Sequence, residues 1–175
     1  IHDYARMRSD ALGRARGIVN RLYAKIGVRT EWLGVVRPRE RRAHADRADG
    51  ALYSRIGELT VIVLTPQMAD RGRVANDVLG FAAVPEEGMG RIAYVIYDRV
   101  RQAAAEAAAN EADLLGFVMA HELAHLLLPR GSQSKTGIMR SSLERRGLRT
   151  LDVETIEFSA HEAEQIRRML KDQSR

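Results

Sequence analysis

The sequence predicts an α+β domain, with a sheet on one side and helices on the other. Three observations carry this. Leu59, Val61, Ile62, Val63 and Leu64 form a nearly unbroken apolar run of strand length, as a strand buried on both faces would. Leu12, Ala15, Val19, Leu22 and Ile26 recur at three- and four-residue steps, the period of an amphipathic helix. A long apolar stretch over 113–128 carries His121 and His125, one helical turn apart.

In chain order, residues 1–4 read as the tail of a strand, and 8–26 as a helix that stops at Gly27. Residues 28–36 are rich in β-favouring types and read as a strand. Residues 37–57 read as a solvated loop, rich in arginine, with His44 as a surface histidine. A central strand over 58–65 follows, closed by Pro66, then a loop or short helical turn over 67–76. Strands are expected over 78–84 and 91–97, with a Pro85-Glu-Glu-Gly-Met-Gly turn between them. Either one can be an edge strand whose backbone pairs with an extended peptide.

Asp98 is the expected N-cap of an alanine-rich helix through Ala109, broken at Asn110. The histidine-bearing helix over 113–128 ends before Pro129. Residues 130–136 read as a polar loop, Gly137-Ile138-Met139 as a tight apolar turn and 141–149 as a short helix. Ser159 and Glu162 have the spacing of a capping box. They open a last helix to about Lys171, with Ala163, Ile166 and Leu170 inward and His161 as an exposed side chain.

The chain of 175 residues is read as one domain, 1–175. Its net charge of +5 is dispersed, and aromatic residues are few, which argues against a nucleic-acid partner. There is no cysteine, so neither disulfides nor thiolate ligands are available. No apolar run approaches the ~18 residues of a membrane span. A chain opening on Ile1 rather than Met fits a processed product.

The chemistry concentrates in His121-Glu122-Leu123-Ala124-His125. On a helix, positions i and i+4 share a face, so both imidazoles can meet one zinc ion. Glu122, the next residue round, can reach the edge of that site and accept a proton from water activated by the metal. The competing explanation is a chance match on a core helix. Against it, two histidines and a glutamate on a largely apolar helix need partners, and a metal satisfies both imidazoles at once.

This HExxH helix, followed by Gly137-Ile138-Met139, resembles the zincin metallopeptidases, and among them the metzincin group with its methionine-containing turn. The string from His121 to Arg140 is also similar to small bacterial zinc peptidases. The resemblance implies a mixed twisted sheet with a backing helix, an active-site helix and a C-terminal helix. It implies a zinc-dependent endopeptidase, secreted or periplasmic, acting on a peptide or protein substrate. Zn2+ would be held by His121 and His125, Glu122 would be the general base, and Met139 would pack beneath the metal. In that mechanism Tyr94 or Tyr97 could help hold the oxyanion, though no local pattern marks either one. The chain departs from the extended metzincin motif, with Leu128 at its glycine position and Gly131 at its third histidine. The bacterial proteins place a histidine where this chain has Gln133. Gln133 is therefore the favoured third ligand, with Glu144, His161 and water as alternatives. A second function follows from that substitution: a catalytically weak or inactive zincin that binds a peptide or protein.

Overall fold

The computed structural model describes residues 1–37, 58–85, 90–140, 148–149 and 151–173. The elements are β1 (His2–Asp3), α1 (Ser9–Ala24), β2 (Thr60–Leu64), α2 (Pro66–Arg71), β3 (Gly80–Ala83), β4 (Ile92–Ile96), α3 (Tyr97–Ala107), α4 (Glu111–Leu127) and α5 (Ala160–Gln173). The fold is α+β. The strand order is β1-β2-β4-β3. β1, β2 and β4 run parallel, with Val63 opposite Val95, while β3 is antiparallel to β4, with Phe81 opposite Tyr94. The sheet is therefore mixed, β2 is internal and β3 is an edge.

The apolar run of β2 is explained by burial on both faces. Val61 and Val63, with Ala93 and Val95 of β4, join the main core beneath α1 and α4. Ile62, Leu64 and Ile96 point the other way and pack with Ala69 of α2. The expectation that helices lie on one side alone is thus corrected. Pro66 opens α2, and Thr65 caps it by accepting the Met68 N–H.

Residues 28–36 are not a strand. Only Val36 forms an isolated parallel bridge to His2. The side chains expected to enter a ladder bind α1 instead: Thr30 Oγ1 and Trp32 Nε1 both reach Asn20 Oδ1, at 2.6 and 2.7 Å. Arg16 lies 5.3 Å from the centre of the Trp32 ring. β propensity was overridden by contacts to the helix that precedes the segment.

α4 is the buried spine of the molecule. Asn110 does not merely interrupt a helix: its side chain accepts the N–H groups of Ala112 and Asp113, at 3.0 and 3.1 Å, and caps α4. Glu111 and Asp113 place negative charge in the first turn, where it complements the helix dipole. Asp98, expected as the cap of α3, lies inside that helix's first turn, and α3 starts one residue earlier at Tyr97. α1 packs along α4, where a Cβ on Gly116 would come within 2.8 Å of Ile18 Cβ. Tyr23 of α1 donates to the Ala120 carbonyl at 3.1 Å, and Arg14 pairs with Asp113. These contacts fix α4 beside the residue that precedes His121.

The capping box of α5 is formed: the Ser159 N–H donates to Glu162 at 2.7 Å and the Glu162 N–H to Ser159 Oγ at 3.3 Å. Of residues 141–149, only the helical pair 148–149 is described. The loop that begins at Arg37 and carries His44 lies beyond the described residues after position 37. No helix among the described residues is long and apolar enough to cross a membrane.

Candidate metal centre

His121 and His125 occupy one face of α4, and their Nε2 atoms lie 3.0 Å apart. The His121 Nδ1 is 2.7 Å from the Ile138 carbonyl oxygen. A carbonyl only accepts, so Nδ1 carries the proton, and the His121 Nε2 lone pair accepts from the His125 Nε2–H in the metal-free protein. This is the arrangement in which a backbone carbonyl fixes the tautomer of a metal-binding histidine. Zinc–nitrogen distances of about 2.0–2.1 Å place two tetrahedral ligand nitrogens roughly 3.3 Å apart. The observed pair lies within a few tenths of an ångström of that spacing, and its donor chemistry fits zinc.

Burial keeps both imidazoles neutral, the form that binds a metal. It lowers the proton affinity of His121, opposed by the hydrogen bond to Ile138 and the charge of Glu162 and aided by the charge of Arg140. His125 is pushed down to about 4 by burial and by its neighbour His121. Glu122 is 6% exposed, and burial raises its carboxyl to about 8. Two bases poised to lose protons therefore flank an acid poised to hold one.

These side chains line a cleft of about 660 Å³ between α4 and β3. Gly80 at the start of β3 makes the approach possible. A Cβ there would meet Tyr94 O at 2.8 Å, Glu122 Cγ at 2.9 Å and Val118 Cγ1 at 2.9 Å. A glycine inside a strand pattern marks such close approach, and that was the signal available in the sequence.

The turn after α4 closes from below. Gly137 has φ +74°, and a Cβ there would lie 2.7 Å from the Glu157 carbonyl. Ile138 and Met139 are completely buried, and the Ser134 N–H donates to the Met139 carbonyl at 2.7 Å. The turn thus delivers the Ile138 carbonyl to His121.

Gln133 also lines the cleft, so the loop carries it to the same opening as the histidines. Among the described residues, no group of three His, Cys, Asp or Glu side chains is arranged to hold a metal. His161 is exposed in the first turn of α5 and does not line the cleft. Glu144 lies outside the described residues. The two tyrosines are not where an oxyanion would be. Tyr94 packs on the opposite face of the sheet, stacked on Phe81 at 4.6 Å. The Tyr97 hydroxyl is engaged by Glu111 at the far end of α4.

Two cleft residues carried no sequence signal. Phe117 lies one turn before His121, their rings 6.1 Å apart. Arg140 follows Met139 and sets its guanidinium 5.1 Å from the centre of the Phe117 ring. Comparison with protein families, curated proteins and solved structures finds no match to this chain.

Proposed function

We propose that this chain is a zinc-dependent endopeptidase of the zincin type, with a metzincin-like turn at Gly137-Ile138-Met139. One observation carries the reading: two Nε2 atoms converge at 3.0 Å beside a buried carboxylate on the wall of an open cleft. His121 and His125 would hold the ion, with Gln133 the candidate third protein donor. When bound, zinc supplies a Lewis acid that acidifies water and polarises the scissile carbonyl. The chain's own residues do the rest. The Glu122 carboxyl, which burial keeps protonated in the metal-free protein, would be ionised beside a bound cation, and that carboxylate would take the proton of the attacking water and pass it to the leaving amine nitrogen. β3, the edge strand along the cleft among the described residues, would offer its outer backbone groups to an extended peptide. Met139 supports the turn that orients His121.

A second reading is a weakened zincin that binds peptides without cleaving them. It is favoured by the lack of a third imidazole or carboxylate ligand among the described residues. Amide oxygen is not among the usual zinc donors.

The test is zinc stoichiometry together with hydrolysis of a peptide library. Zinc near one per chain, with cleavage lost in Glu122→Ala while zinc stays bound, is the expected result. Loss of a general base should cost about 10²–10⁴-fold in rate. Cleavage that survives Glu122→Ala removes the peptidase reading. Gln133→His separates the two functions. A gain in both zinc affinity and activity identifies a compromised native site, and no change in either shows that position 133 is not at the metal.

A further inference from the structure

Arg130 and Arg140 are both cleft cations that the proposed chemistry leaves unused, and Arg140 is the one held in place over an aromatic ring. Its Nε and Nη2 are buried and have no hydrogen-bond partner among the described residues. No ion pair among the described residues includes it, and burial alone lowers its proton affinity. One face of the guanidinium is held over Phe117, which stands next to His121 on α4. The side chain is half-buried, and it lines the same cleft as Glu122 and the histidine pair.

A guanidinium removed from water without an acceptor is costly, and the cost ends when a carboxylate meets it. Its planar fork suits a carboxylate better than any neutral group. Its long stem can swing the fork toward the cleft while the cation stays near the aromatic ring.

We propose that Arg140 receives a carboxylate of the bound peptide, either a free C-terminus or an acidic side chain, and so selects acidic substrates. The inference rests on the peptide-cleft reading above. Arg140 is then a specificity residue, and Phe117 is its platform.

The experiment uses the zinc-loaded Glu122→Gln protein, so that peptides bind without being cut. Three pools of N-acetylated hexapeptides are offered. The first has free C-termini and no Asp or Glu, the second has amidated C-termini with Asp and Glu, and the third is amidated with neither. Retained peptides are identified by mass spectrometry. One of the first two pools should be retained about tenfold over the third, the worth of a charge-assisted hydrogen bond. Whichever pool it is names the source of the carboxylate. Adding Arg140→Gln should collapse that ratio to near one, whereas Arg140→Lys, which keeps the charge but not the fork, should leave a smaller preference. Equal retention of all three pools, or a preference untouched by Arg140→Gln, overturns the inference and leaves the peptidase reading standing. Retention of none of the pools overturns both.

Discussion

Histidines 121 and 125 and Glu122 share one environment but respond to it in opposite directions. Removal from water disfavours whichever form is charged, so the imidazoles lose protons and the carboxyl holds one. This sets a pH dependence for the metal-free protein. The folded state binds more protons than the unfolded state at Glu122 between pH 4.5 and about 8, so this group makes stability fall as pH rises through that range. The unfolded state binds more at His125 between about 4 and 6.5, so that group makes stability rise with pH, and His121 acts in the same direction. The effects oppose one another up to pH 6.5; above it Glu122 still lowers stability as pH rises, while the Ile1 amine, whose proton affinity burial lowers, acts the other way. Urea unfolding in a chelator should show the stability of the wild type declining relative to that of Glu122→Gln as pH rises from 6.5 to 8. A difference between the two proteins that stays constant across this window contradicts the burial assigned to Glu122.

At the scale of elements, the cleft exists because β3 and α4 come unusually close. The contact rests on Gly80, whose absent side chain leaves room for Glu122 Cγ. Gly80→Ala puts a methyl group against Tyr94 O and Val118, both held by regular structure. It should destabilise by about 1–3 kcal/mol, the usual cost of overpacking. It should also displace Glu122, so hydrolysis should fall further than stability alone explains. Activity of the folded variant equal to wild type would show that Glu122 does not depend on this contact. Element identities were largely legible. α1, β2, α4 and α5 follow from periodicity, apolar runs and caps, signals local to the chain. Residues 28–36 were misread because Thr30 and Trp32 found Asn20 on α1, a contact that no local pattern contains. The edge was left open between two segments because pairing order belongs to the sheet, and the structure gives it to β3.

At the scale of the whole molecule, the metal and the fold should be coupled. Zinc held by the histidine pair, as proposed, would bind the folded state in preference to the unfolded chain. At a free concentration one hundred times the dissociation constant it should add about 2.7 kcal/mol of stability. Thermal unfolding should therefore move upward with zinc concentration, and His125→Ala should abolish most of that movement. An unfolding midpoint indifferent to zinc would leave the two converging imidazoles without a ligand. The dispersed charge of the chain, +5 over 175 residues, does not by itself direct it to nucleic acid.

The sequence by itself determined the two imidazoles one turn apart, the carboxylate beside them and the apolar helix that carries them, because helical geometry follows from spacing alone. It also determined the central strand and the caps of the last helix, whose partners lie within a few residues. Only tertiary structure decided that His121 is oriented by the Ile138 carbonyl, that Gly80 lets β3 reach Glu122, and that Arg140 sits over Phe117. Each of these joins groups far apart in the chain, and their meeting depends on how helices and strands pack.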